Sequence, residues 1–425
     1  MQPTQSRYIS RIISRIISHI IVAVTVAAFM VPAISTASTY KVLHTFTGLD
    51  GAAPLAGVIS DAAGNLYGTT RSGGNDNCGV VFKLTPNADG SWTESVLHSF
   101  VESASDGCGP VASLIFDVAG NLYGTTGIGG LGCGVVFELT PSVNGAWGEN
   151  ILYSFAEGGF HDGCIPEGSL IFDSAGNLYG STQTGAGAGK GGPEGTVYKL
   201  APNGDGSWTE SVLYRFHMKD GISLMAGLIF DQGGNLYGTA AEQGGYSDRD
   251  FGVAFKLVPN ANGNWTENIL HQFTNNTVTD GNGPTSNLIF DTAGNLYGTT
   301  TAGGSGGDGV VFKLTPNANG GWNEKILHAF NVTDGKFPYA GLIFDAAGSL
   351  YGTTELGSSG NGLVFEMTPR KDGTWALNVL HYFLGTPELR PVAGLLLDKA
   401  GNLYGTARDC APVTGCSGVV FEITP

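Results

Sequence analysis

The chain has 425 residues, 68 of them glycine and 6 cysteine, and a formal net charge of −16. Aromatic residues at 10% and apolar residues at 42% are globular values, which excludes simple disorder, and no Gly-X-Y triplet runs through the chain, which excludes collagen. Acids outnumber bases 36 to 20, so nucleic acid is not an expected partner.

The first predicted element is a targeting segment over residues 1–37. Arg7, Arg11 and Arg15 form a basic region, an apolar run extends from about Ile20 to Ile34, and Ser35-Thr36-Ala37 offers the small residues a signal peptidase reads. A retained membrane anchor is the alternative, but the run is short of the about 20 residues a bilayer span needs and contains Thr25 and Pro32. The segment predicts a secreted or periplasmic protein with no membrane attachment after cleavage. The remaining chain is then expected to be a monomer.

After the leader, Tyr40-Lys41-Val42-Leu43-His44-Thr45-Phe46 reads as one strand, and self-similarity takes over. The motif Asp-x-x-Gly-(Asn/Ser)-Leu-Tyr-Gly begins at Asp61, Asp117, Asp173, Asp231, Asp291, Asp345 and Asp398, a period of 53 to 60 residues that signals a repeat architecture. Each unit predicts four short strands. In the second unit these are Leu114-Ile115-Phe116, Asn121 to Thr125, Gly134 to Leu139, and Trp147 to Phe155. Asp-x-x-Gly supplies the turn between the first two, and Pro-Asn-x-x-Gly-x-Trp or its variants the turn between the last two.

The chain opens with a fourth-type strand that has no unit before it and closes on Gly418 to Thr424, a third-type strand with no fourth after it. Seven copies of every strand type exist only if the first segment completes the last unit. An open solenoid has no use for that offset, whereas a ring does. The fold class is therefore all-β: a seven-bladed β-propeller over residues 38–425, closed by its N-terminal strand.

The six cysteines keep repeat register. Cys78 and Cys133 each precede a Gly-Val-Val-Phe strand, and Cys108 and Cys164 each follow an Asp-Gly pair. This predicts equivalent bridges Cys78–Cys108 and Cys133–Cys164, with Cys410–Cys416 closing a short loop. Zinc is the competing reading, but no paired Cys-x-x-Cys spacing supports it.

The units Asp-x-x-Gly-Asn-Leu-Tyr-Gly-Thr-Thr … Gly-Gly … Gly-Val-Val-Phe-Lys-Leu-Thr-Pro resemble the GloVer repeats of bacterial choice-of-anchor proteins over nearly all of residues 40–425. The resemblance implies a secreted or surface-held bacterial repeat protein without an established activity. Some relatives carry a C-terminal sorting anchor, whereas this chain stops at Pro425. There is a weaker likeness to the turns of NHL-type propellers.

A residue that recurs in register is expected to serve the blade. His44, His98, His271, His328 and His381 share one fourth-strand position with Tyr153 and Tyr214, so the position wants an amphipathic ring. Trp92, Trp147, Trp208, Trp265, Trp322 and Trp375 begin fourth strands and are expected to pack. The loops after strands two and four are long, variable and on one face, where function is expected. Residues there outside the register are Arg71, Asp76, His161, Glu167, Lys190, Glu194, His217, Lys219, Glu242, Asp248, Arg249, Asp250, Arg390, Arg408 and Asp409.

Asp50, Asp106, Asp162, Asp220, Asp280 and Asp334 each precede a glycine just before the innermost strand. They are read as turn formers or, more sharply, as a ring of carboxylates at the channel mouth for which calcium is the candidate cation. No other cofactor is expected, and no nucleophile elbow or His-Glu-x-x-His is present. The leading functional expectation is a non-enzymatic propeller that binds a polysaccharide, a cell-wall component or a protein. The alternative is a lyase, lactonase or glycoside-acting enzyme with His161 or His217 at the channel mouth.

Overall fold

A computed structural model describes residues 38–425 except for 157–161, 186–194, 218, 243–250, 275–277, 359, 386–387 and 411–414. The leader over 1–37 and the candidate His161 lie outside the described residues. The described residues contain seven antiparallel four-stranded sheets, six of them meanders in chain order. Blade 1 consists of Ile59–Ser60, Leu66–Thr70, Val80–Pro86 and Trp92–Ser99; blades 2 to 6 repeat it, with outer strands Trp147–Ala156, Trp208–Arg215, Trp265–Gln272, Trp322–Ala329 and Trp375–Tyr382. Blade 7 takes three strands from the end of the chain, Leu396–Leu397, Leu403–Ala407 and Val419–Thr424, and its outer strand, Thr39–Thr45, from the start. The expected closure is present, with Thr39 opposite Thr424 and Thr45 opposite Val419.

The turn chemistry explains why these residues fold this way. Asp61 Oδ1 accepts the backbone N–H groups of Ala63 and Asn65, while Oδ2 accepts the Asn65 amide and the Tyr67 hydroxyl. The glycine of Asp-x-x-Gly sits at positive φ (82° for Gly64), the left-handed region where a side chain is costly. The Tyr-Gly glycine has a different reason. A Cβ on Gly124 would lie 2.6 Å from the ring of Phe137 on the neighbouring strand, so only glycine lets that ring pack flat on the second strand.

Blades adhere through aromatic side chains. The phenylalanine at the end of each outer strand lies against the ring of the next blade's third strand, as in Phe46–Phe82 (5.0 Å) and Phe100–Phe137 (5.1 Å), and both partners are wholly buried. The tryptophans pack as expected, against the second-strand tyrosine of the preceding blade, as in Tyr67–Trp147 and Trp92–Tyr404. The hydroxyl after the Tyr-Gly glycine adds a stitch in six of the seven blades, Thr125 of blade 2 being the exception: Thr69 Oγ1 donates to the Ala112 carbonyl and Thr406 Oγ1 to that of Ala56.

One feature has no sequence signature. Every outer strand carries a bulge, in blade 1 between Val81 and Phe82, whose partners are His98 and Val96. The skipped residue, Leu97 and its equivalents, packs between blades. The bulge shifts the residues after it by one position and so sets the direction of the recurring His or Tyr.

All three expected disulfides form. Cys78–Cys108 joins blade 1 to the loop entering blade 2, and Cys133–Cys164 joins blade 2 to the loop entering blade 3. The same register position at the junction of blades 5 and 6 holds an ion pair instead, Lys336 Nζ to Asp308 Oδ1 at 3.0 Å.

Candidate functional site

The inner strands of the blades surround an axial cavity of about 750 Å³. Most of its wall is apolar or small, but five side chains of another character stand in it: Arg71, Glu167, Tyr339, Glu355 and Arg408. They occupy two sets of equivalent slots. Arg71, Glu355 and Arg408 directly follow a second strand, where other blades have Gly127, Gln183, Ala241 and Thr301. Glu167 and Tyr339 follow the loop prolines Pro166 and Pro338, where other blades have Leu55, Val111, Met225, Thr285 and Val392.

A fixed backbone frame holds both sets. Ahead of the second set stands a residue in the left-handed region at every junction: Ala53, Gly109, Ile165, Ser223, Gly283, Phe337 and Arg390, with φ between 52° and 69°. Its carbonyl accepts the N–H of the first-set residue, as in Arg71 to Ala53, Glu355 to Phe337 and Arg408 to Arg390. Side chains can therefore vary around the ring without moving the main chain. Two glycines show what the position prefers, and the five other residues store strain of order 1 kcal/mol each.

Arg408 is the centre of a charged group, with Nη2 3.4 Å from Glu355 Oε1 and Nε 3.1 Å from Asp409 Oδ2; Arg390 Nη1 lies 3.6 Å from the same Asp409 oxygen. Across the cavity, burial raises the Glu167 carboxyl above its ordinary range, and the field of Arg71 opposes that. Burial also raises the Tyr339 phenol, with Glu355 adding to it. Of these residues, Arg71, Glu167, Arg390, Arg408 and Asp409 stand out from the repeat in sequence. Glu355 and Tyr339 do not, because seeing them requires comparing every unit position by position. Lys190, Glu194, Asp248, Arg249 and Asp250 lie outside the described residues, and Asp76, Lys219 and Glu242 do not line the cavity.

The six Asp-Gly aspartates do not ring the channel mouth, contrary to the expectation. None lines the cavity. Each turns outward to the His or Tyr of the preceding outer strand: His44 Nε2 to Asp50 at 3.0 Å, His98 Nε2 to Asp106 at 3.3 Å, Tyr153 hydroxyl to Asp162 at 2.9 Å, Tyr214 hydroxyl to Asp220 at 2.6 Å, His271 Nε2 to Asp280 at 3.0 Å, and His328 Nε2 to Asp334 at 3.2 Å. The cause is local. At five of the six junctions the carboxylate also caps the loop, accepting the N–H of Thr47, Val101, His217, Thr274 or Asn331, and this draws it back toward the strand it follows. At the seventh junction no aspartate is present, and His381 stacks on Tyr40 at 3.9 Å. His217 is exposed beside Asp220, away from the cavity.

A third member of these clusters was missed in sequence. The outer strand of the next blade brings up Glu94, Glu149, Glu210, Glu267 or Glu324, two residues after its tryptophan. Desolvation, aided by the neighbouring aspartate, pushes each of these carboxyls up to about 7. In each, Oε1 is buried without a hydrogen bond.

Seven four-stranded blades around an axial cavity with a variable rim define a seven-bladed β-propeller. The chain belongs to the Gloeobacter/Verrucomicrobia repeat family, whose model matches residues 30–193 and 188–421. No curated protein matches its sequence. Among solved structures it is similar to PorZ, an essential surface component of the type-IX secretion system of Porphyromonas gingivalis, at 13% identity and a TM-score of 0.50, covering 86% of this chain but only 46% of that one. It is also similar to a luciferin-regenerating enzyme (14% identity, TM-score 0.43, 73% and 90% covered) and to a putative oxidoreductase of the glucose dehydrogenase type from Thermus thermophilus (15%, 0.45, 91% and 100%). At these identities the likeness concerns the fold alone.

Proposed function

We propose that this chain is an exported binding propeller that takes a polysaccharide, a cell-wall component or a protein at the axial cavity on its variable-loop face. The observation that carries this reading is the contrast within the repeat. Turn and core positions are nearly uniform, while the two sets of rim slots differ from blade to blade and collect Arg71, Glu167, Tyr339, Glu355 and Arg408 around one cavity. A cavity of about 750 Å³ with an apolar wall and a few convergent polar groups has the size and character of ligand sites. Three disulfides, two of them between blades, support an oxidising extracytoplasmic compartment.

The test is a screen of glycans, polysaccharides and cell-wall fragments against the wild-type chain and an Arg71→Ala/Arg408→Ala variant, with product analysis on the same samples. Saturable binding weakened at least tenfold in the variant supports the reading, and retention of full affinity removes it. Turnover of any substrate would favour the second reading, an enzyme, for which the half-buried Glu167, its carboxyl raised by burial against the opposing field of Arg71, is the one specific observation.

A further inference from the structure

We propose that two of the blade junctions are binding sites for a divalent metal ion of the zinc class, one formed by His98, Asp106 and Glu149 between blades 1 and 2, the other by His271, Asp280 and Glu324 between blades 4 and 5. In each set the imidazole comes from one outer strand, the aspartate from the loop that follows, and the glutamate from the outer strand of the next blade. Among the described residues, these are the two sets in which a histidine and two carboxylates bring donor atoms within 4.8 Å of one another.

The spacing fits a small ion. His98 Nε2 lies 3.3 Å from Asp106 Oδ1 and 3.6 Å from Glu149 Oε1, and His271 Nε2 lies 3.0 Å from Asp280 Oδ1. A tetrahedral ion with bonds of about 2.0–2.1 Å holds its ligands about 3.3–3.4 Å apart, so the histidine and aspartate of each set, and His98 and Glu149 in the first, already stand near that spacing, with the remaining donor pairs within 4.8 Å. An independent observation points the same way. Glu149 Oε1 and Glu324 Oε1 are closed off from solvent and make no hydrogen bond, a state they share with the same oxygen of Glu94, Glu210 and Glu267, but among the described residues only in these two sets does the glutamate have both a histidine and an aspartate donor gathered within 4.8 Å. These are also sheltered groups, unlike the usual surface acids, with side-chain exposures of 19%, 12% and 13% for His98, Asp106 and Glu149. One imidazole with two carboxylates suits zinc and its neighbours, with water completing the shell, whereas calcium wants six to eight oxygens.

Four other junctions provide controls within the same molecule. Two replace the imidazole by a phenol, Tyr153 and Tyr214; one faces His328 with Leu377 where the glutamate would be; one replaces the glutamate by Tyr40. The fold therefore already accommodates Leu at the glutamate position and Tyr at the histidine position. The junction of blades 7 and 1 has the same three residue types, His44, Asp50 and Glu94, but their donor atoms are not gathered within 4.8 Å, so it is left out of the assignment.

Isothermal titration of the chelator-treated full chain with zinc chloride, with calcium chloride as a separate arm, tests the proposal. Two equivalents of zinc are expected to bind, with a rise in melting temperature. Glu149→Leu and Glu324→Leu should each remove one equivalent and the double variant both, and cobalt bound in place of zinc should give the visible absorption of a tetrahedral site. Should either leucine variant fail to fold, His98→Tyr and His271→Tyr serve instead. No stoichiometric zinc uptake, uptake that survives the double variant, or calcium bound with that stoichiometry in preference to zinc would each overturn the assignment.

Discussion

At the scale of single residues, the recurring glutamates make a prediction about pH. Glu210 and Glu267 face tyrosines, and burial lifts both carboxyls from the ordinary 4.5 to about 7. A group whose folded value is raised favours the folded state below its unfolded value, and that contribution is lost as pH rises toward the folded value. The turn aspartates act in the opposite sense: Asp61, Asp173 and Asp231 are held below 3.8 by hydrogen bonds, though burial opposes them, so their contribution is lost in strong acid. The melting temperature should therefore fall between about pH 4.5 and 7. Glu210→Leu, which copies position 377, should flatten that fall in a calorimetric series. A second residue-scale prediction concerns Ile165, a β-branched residue at φ 61°. Because glycine occupies two of the seven equivalent positions, Ile165→Gly should leave the melting temperature unchanged or raise it.

At the scale of strands and loops, the close approach of Phe137 to Gly124 implies that Gly124→Ala displaces a fully buried ring, and a loss of roughly 1–3 kcal/mol is expected in urea unfolding. Removing the blade 1–2 bridge with Cys78→Ser/Cys108→Ser should cost about 3–4 kcal/mol by the unfolded-state argument. What was legible in the sequence follows from the same physics. Turns, strands, the disulfides and ring closure could be read because each depends on residues near in sequence or locked to the repeat, as Asp61 to Tyr67 are. The position of Asp106 and its companions could not. A bulge at Leu97 and a loop cap at Val101 decide which way those groups point, and neither leaves a mark on composition or period. Glu149 was hidden for a related reason: it meets His98 only because two outer strands from successive blades lie side by side.

For the whole molecule, stability depends on the ring being complete. Phe383 packs on Phe421 and Tyr40 lies against both, so the last junction is built partly by the first strand. Deleting residues 38–47 removes that strand and Phe46, the ring that packs on Phe82 of blade 1. The deletion should lower the melting temperature of the entire chain and broaden the transition, and an unchanged calorimetric profile would contradict closure as the source of cooperativity. The two inter-blade disulfides both lie within blades 1 to 3, so stapling is uneven around the ring.

The pairing of Thr39 with Thr424 also orders events in time. Thr39–Thr45 is synthesised before the strands of every other blade and its partner Val419–Thr424 after them, so it stays single while the other blades assemble. Joining contacts nearly a full chain apart makes this the slow, entropically costly end of folding. Until then Thr39–Thr45 is an unpaired edge that the third strand of another copy's blade 7 can accept. At high concentration, refolding should therefore yield ring-swapped dimers in which each copy lends its first strand to the other.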